Sequence, residues 1–340
     1  MPLNCSRCQR QLSDSADPAE LPMFCTFCGC RLRNLAATEK TVEIEEFVPL
    51  AVTVPPKYQT VRHLGSGGMG EVYEAVDTAT GEHVAIKFLA DRLAAHPASV
   101  EQFRNEGRLA RFLSHPHCVR VLDVNDEGDR GQPFIAMELM PGRTLKDLVE
   151  SDGPLAPEIA IRYILDAIEG LIEAHRLKII HRDVKPSNCF LTEDDRVKIG
   201  DFGLSNALDA NGSEQGRTGS NRFSGTVLFA PPEQIRGEPV GFDSDIYSVC
   251  ATLYYLLSGR TPHQAESITA ALAKAISEPP TPLRRSCPGV SVELERIVMK
   301  GLERDRSRRW SSLEELRSAL QAARFRKGWL ARFRALFSGR

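Results

Sequence analysis

The 340-residue sequence has no apolar run long enough to cross a bilayer, which takes about 20 residues. Its opening, MPLNCSRC, lacks the basic and apolar stretches of a secretory leader, so a cytoplasmic location is the expectation. Excess charge of one sign is also missing. Lys and Arg number 43 against 45 Asp and Glu, so the net charge of -2 gives no overall attraction to nucleic acid, and any basic surface must be local. No stretch recurs at a fixed period, which excludes a solenoid. The 42% hydrophobic and 26% charged residues are those of a folding globular chain, and its length suggests one large domain or two to three smaller units.

Cysteine is scarce except at one end. Cys5, Cys8, Cys25, Cys28 and Cys30 crowd the first 30 residues, whereas Cys118, Cys189, Cys250 and Cys287 are scattered and read as packing residues. Residues 1–34 are too few to bury a core unaided. Cys5-x2-Cys8 and Cys25-x2-Cys28, 16 residues apart, form two thiolate knuckles suited to tetrahedral Zn²⁺ in a closed, structural site. Cys30 is the alternative to Cys28 as fourth ligand, and disulfides are the alternative to metal. Phe24 and Phe27 are the only aromatic platforms in this module, so nucleic acid is not its expected partner; a protein is. Residues 35–57 read as a linker, acidic at Glu39, Glu43, Glu45 and Glu46, with room for one strand at Thr41–Val48.

From residue 58 to about 140, short Val/Ile/Phe-rich runs alternate with Gly and charged turns around one helical stretch near Ser99–Leu113. From 141 to about 320 the period becomes helical, as in Pro157–His175, Asp243–Ser258 and Val292–Gly301. The first half carries Gly65-Ser66-Gly67-Gly68-Met69-Gly70, a pattern whose backbone amides can face phosphates. A dinucleotide fold would need a helix next and an acid about 20 residues on. Instead a strand-like Glu71–Val76 follows, and Val84-Ala85-Ile86-Lys87 ends in a lysine. The dinucleotide reading fails on both counts.

Together with His181-Arg182-Asp183-Val184-Lys185-Pro186-Ser187-Asn188 and Asp201-Phe202-Gly203, these motifs resemble the bacterial eukaryotic-type serine/threonine protein kinases over residues 58–320. The resemblance implies an α+β, two-lobed protein kinase fold, with an N-lobe at 58–140 and a C-lobe at 141–320, preceded by the small zinc ribbon. It further implies that Leu64, Gly65, Gly67, Gly70, Val72, Ala85 and Phe190 surround ATP. Met137 would be the gatekeeper, with the backbones of Glu138 and Met140 on the adenine edge. Lys87 would hold the α- and β-phosphates and pair with Glu106, with Glu101 as the competing partner. Asp183 would orient the incoming hydroxyl, Lys185 would neutralise the transferred group, and Asn188 and Asp201 would hold Mg²⁺, with Mn²⁺ as a substitute.

His181, Phe202 and Ala110 resemble the stacked spine of the family, Ala110 being smaller than the usual leucine. The 33 residues from Asp201 to Glu233 resemble an activation segment. Thr218, Ser220 and Ser224 are its candidate phosphorylation sites, facing Arg182, and Thr226 would contact Asp183. Glu233, after Pro231-Pro232, would pair with Arg309 or, off by one, Arg308, and Asp245 would brace the catalytic loop.

The implied activity is transfer of the ATP γ-phosphoryl group to Ser or Thr hydroxyls of protein substrates, with self-association for trans-autophosphorylation. The competing reading is a catalytically weak pseudokinase or scaffold that recruits partners through the ribbon. Residues 321–340 carry six basic residues from Arg324 onward and no acid, with Phe325, Trp329, Phe333 and Leu336 on one helical face. A peripheral membrane contact, the helical lobe and a partner protein are the three surfaces such a tail fits.

Overall fold

The structure is a computed structural model that describes residues 56–125, 132–140, 142–202 and 225–324, with the backbone alone at 3–4 and 11–13 and at 225–226. The five N-terminal cysteines, the Thr41–Val48 strand, Gly203, Thr218, Ser220, Ser224, the Thr226 side chain and residues 325–340 lie outside it. At the N-terminus, β1 (Leu3–Asn4) pairs antiparallel with β2 (Gln11–Ser13).

The first lobe is a five-stranded antiparallel sheet. Its strands are β3 (Tyr58–Gly67), β4 (Gly70–Asp77), β5 (His83–Leu89), β6 (Val121–Val124) and β7 (Phe134–Glu138), in the order β3-β4-β5-β7-β6. Period-2 alternation divides β5 between two environments. Val84, Ile86 and Phe88 pack with Tyr58, Tyr73, Phe134 and Ala136 on one face. Leu89 joins Leu93, Phe103, Val124 and Ile135 on the other, so the β5 residues from Val84 to Leu89 are all buried. The expected helical stretch is one helix, α2 (Pro97–Ala110), with Pro97 at its first position, and a four-residue helix that was not expected, α1 (Asp91–Ala94), precedes it. Gly107 lets α2 approach the sheet: a Cβ there would lie 2.9 Å from side-chain carbons of Ile135 and Val124.

The second lobe contains α3 (Leu145–Asp152), α4 (Pro157–Arg176), α5 (Pro232–Ile235), α6 (Phe242–Ser258), α7 (Ile268–Ser277), α8 (Leu283–Ser286), α9 (Val292–Gly301) and a last helix at 313–324. Thr144 caps α3 reciprocally with Asp147. The expected spacing in α4 buries Ile161, Ile164, Leu165, Ile168, Leu171 and Ile172, each contributing about 1.5–3 kcal/mol on transfer from water. Between α4 and α5 lies a short ribbon of β8 (Cys189–Leu191) and β9 (Val197–Ile199), with Phe190 opposite Lys198. Cys118, Cys189 and Cys250 are buried, and burial pushes their thiols up to about 12, which suits packing rather than chemistry.

Candidate active site

The β3–β4 hairpin turns at Gly68-Met69, with Gly67 opposite Gly70. Its glycines are there for different reasons. Gly70 has φ +154°, and a Cβ would fall 1.7 Å from the Phe88 carbonyl oxygen, so packing alone requires glycine. A Cβ on Gly65 would meet nothing within 4 Å, and one on Gly67 only the Gly70 carbonyl at 4.0 Å. At these two positions packing does not demand glycine, and exposed backbone amides without side chains are what a phosphate cradle uses. Val72 stands opposite Lys87 in the β4–β5 register, Ala85 is buried, and Leu64 is exposed at the rim.

Lys87 projects from β5 into the cleft, where its Nζ donates to Asp201 Oδ1 at 2.8 Å. This corrects the expected pairing with Glu106, whose Oε1 accepts instead from Gln102 Nε2, one turn earlier on α2, at 3.2 Å. Asp201 itself has φ +63°, and its pair with Lys87 is largely covered on the lysine side, whose side chain is 9% exposed. Burial by itself would raise the Asp201 carboxyl, but the Lys87 ammonium, helped by Lys185, outweighs it and holds the group below the usual range. Glu101, the other candidate, lies 3.6 Å from Arg108.

The catalytic-loop residues meet across this pair. Asp183 Oδ2 accepts from Lys185 Nζ at 2.7 Å and from Asn188 Nδ2 at 3.2 Å, and the same Nδ2 donates to the Asp183 carbonyl at 2.8 Å. With its NH2 so engaged, Asn188 would meet a cation through Oδ1. Among the described residues nothing donates to Asn188 Oδ1 or Asp201 Oδ2. A hard oxygen pair of one carboxylate and one amide fits Mg²⁺, which needs few protein ligands beside phosphate oxygens.

Asp245, fully buried on α6, fixes the loop from below. Its oxygens accept from the backbone amides of His181 (2.9 Å) and Arg182 (2.8 Å) and from His175 Nε2 (2.8 Å). These bonds hold Arg182 at φ +65°, a conformation that costs a non-glycine residue roughly 1–3 kcal/mol. The Arg182 Nε is buried and has no hydrogen-bond partner among the described residues. His181 Nε2 lies 2.9 Å from the Gly200 carbonyl, and its ring centroid is 4.6 Å from that of Phe202. Beside Phe202, a cavity is lined by Gly107, Ala110, Val119, Val121, Ile135 and Met137.

Glu233 and Arg309 form a bidentate ion pair at 2.7 and 2.8 Å with both side chains essentially inaccessible. Arg308 is exposed and lies 3.4 Å from Asp305. Burial would raise the Glu233 carboxyl, and Arg309, helped by Ser244, brings it below the usual range. Three supports were not read from the sequence: His175 on Asp245, Asp166 on Arg196 at 2.7 and 2.9 Å, and Lys198 on Glu138 at 2.7 Å. The bonds of Asp166 and Lys198 join residues 30 and 60 apart in sequence, with no motif to signal them.

A glycine hairpin roofing a lysine, with a carboxylate and an amide below it on a second, helical lobe, defines the class as protein kinase. The chain belongs to the protein kinase domain family, whose model matches residues 58–322. Serine/threonine-protein kinase PknB of Mycolicibacterium smegmatis is 38% identical over 266 residues, covering 78% of this chain and 42% of that protein. PknB of Mycobacterium tuberculosis strain H37Rv is 36% identical over 266 residues, with the same coverage. The chain thus spans about two fifths of the length of these relatives. The crystal structure of the Mycobacterium tuberculosis PknI kinase domain superposes with a TM-score of 0.63 at 26% identity, covering 81% of this chain and 99% of that one.

Proposed function

We propose that this chain is an active serine/threonine protein kinase that transfers the ATP γ-phosphoryl group to protein hydroxyls. The observation that carries the reading is the convergence of Lys87, Asp201, Asn188, Lys185 and Asp183 in one cleft. ATP with Mg²⁺ supplies the reactive phosphoryl group and its charge neutralisation when bound. Asp183 orients the incoming hydroxyl and receives its proton at the carboxylate, while Lys185 steadies charge on the moving group. Asn188 and Asp201 hold the cation. Leu64, Val72, Ala85 and Phe190 enclose the adenine, and the backbones of Glu138 and Met140 meet its edge.

The Lys87–Asp201 pair is the resting arrangement, and transfer requires Lys87 to pass to Glu106. Phosphorylation at Thr218, Ser220 or Ser224 favours that exchange by engaging Arg182, the half-buried arginine beside Asp183. Arg182 carries a buried Nε in want of a partner, which supports this assignment. Thr226 belongs to the substrate side of the cleft. The pseudokinase or scaffold reading has no observation in its favour, since every ion-handling residue is present.

Residues 1–34 form a structural zinc ribbon bound through Cys5, Cys8, Cys25 and Cys28, presenting a surface to a protein partner. Its support is the β1–β2 pairing, which brackets the first Cys-x2-Cys as a hairpin brackets a metal knuckle. The test of the kinase reading is label transfer from γ-labelled ATP with Mg²⁺ to a generic Ser/Thr-containing protein, followed by phosphoamino-acid analysis. Phosphoserine or phosphothreonine supports it; no transfer by a protein that binds ATP favours the scaffold.

A further inference from the structure

We propose that Lys198 is a positioning residue for the adenine ring, acting through Glu138. Glu138 is the last residue of β7, where the chain leaves the first lobe, and its carboxylate is engaged by Lys198 and Arg120. Its oxygens accept from Lys198 Nζ at 2.7 and 2.8 Å, and Oε1 also accepts from the Arg120 amide at 2.7 Å. The Glu138 amide donates to the Arg120 carbonyl at 2.9 Å. Both charged side chains are about three-quarters covered, so solvent weakens the pair less than it would an exposed one.

The other end of this tie is anchored. Lys198 is the middle residue of β9, opposite Phe190 on β8. On its far edge, β9 exchanges backbone bonds of 2.9 Å with His117 and Val119 through Ile199. At the hairpin end, Asp166 of α4 accepts from Arg196 and from the Val197 amide. Four residues after Glu138, the connector touches the ribbon again. A Cβ on Gly142 would lie 2.0 Å from the Leu191 carbonyl oxygen, so glycine alone permits the approach. The connector is therefore held on the ribbon at both ends of the stretch whose Glu138 and Met140 backbones are assigned to adenine. Lys198 sets the height of its first end above Phe190, the floor of the same site.

The inference rests on the kinase reading, and its test separates the two. Adenosine and Mg·ATP affinities are measured by calorimetry on the full chain for wild type, Lys198→Met, Lys198→Arg, Glu138→Lys and the swap Glu138→Lys with Lys198→Glu. Lys198→Met keeps the alkyl stem and is expected to weaken both ligands by the same factor, about fivefold. Lys198→Arg is expected to restore both affinities, and the swap to bind better than Glu138→Lys alone. Loss confined to Mg·ATP would assign Lys198 to its neighbour Asp201 instead and overturn the proposal. So would a lowered melting temperature with unchanged adenosine affinity, which marks a structural role only. Wild type that bound neither ligand would overturn the kinase reading and this proposal with it.

Discussion

Lys87 and Asp201, 114 residues apart in sequence, share a 2.8 Å hydrogen-bonded ion pair at the centre of the cleft. Of the two acids expected near it, Asp201 and Glu106, the lysine is with Asp201 here. Lys87→Met removes the counter-charge from Asp201 in this arrangement and the phosphate contact in the productive one. We expect transfer to fall at least about a hundredfold, because electrostatic positioning is the main catalytic contribution in phosphoryl transfer. Steady-state kinetics on a generic peptide check this, and activity within threefold of wild type would refute the role.

Glu233 and Arg309 give a stability prediction. Glu233→Gln removes the bidentate ionic partner of the buried guanidinium and leaves it only the longer 3.7 Å contact with Asp243; breaking a buried pair costs about 3–5 kcal/mol. The pH dependence has a definite sign. The folded carboxyl is held below its ordinary 4.5, so its stabilisation is complete above about pH 4.5 and is lost as pH falls through the lower folded value. Chemical denaturation of wild type and Glu233→Gln should therefore show a gap that is constant near neutrality and narrows on acidification below pH 4.5. A gap independent of pH down to the acid limit would contradict the assignment.

Ala110 leaves a gap in the packing around Phe202. Ala110→Leu is expected to fill the cavity beside that ring, stabilise the fold by about 0.5–2 kcal/mol and raise the autophosphorylation rate severalfold. Thermal melts and initial rates test the two effects together. Lower stability with slower transfer would show that the site is already filled.

Much of this was legible from local motifs. The glycine hairpin, the Asp183 loop, Asp201 and the Glu233–Arg309 pair each sit in short, chemically distinctive strings, and the α4 core follows from a 3.6-residue period. The partner of Lys87 was not legible, because Glu106 and Asp201 are both acids at suitable positions. Only the folded arrangement separates them, with Lys87 on Asp201 and Gln102 on Glu106. Nor were Asp166–Arg196 and Glu138–Lys198 legible: charged residues on strands and helices read as solvated until the fold brings them together. At Gly70 the motif carries a second demand that the sequence does not show, since a Cβ there would collide with the Phe88 carbonyl.

The proposed zinc ribbon yields a separable prediction. Replacing Cys5 and Cys25 together with Ser should abolish zinc, measured by elemental analysis, while leaving peptide phosphorylation by residues 58–322 within twofold of wild type. Unchanged zinc content would remove these cysteines from the ligand set.

The most direct measurement is autophosphorylation with γ-labelled ATP and Mg²⁺, comparing wild type with Asp183→Asn. Asparagine keeps the shape that Lys185 and Asn188 hold but cannot take the hydroxyl proton. The account predicts label in the wild type, mapping to Thr218, Ser220 or Ser224, and a loss of at least a hundredfold in Asp183→Asn with ATP binding retained. Equal labelling of the two proteins, or none in either despite measurable ATP binding, would contradict it.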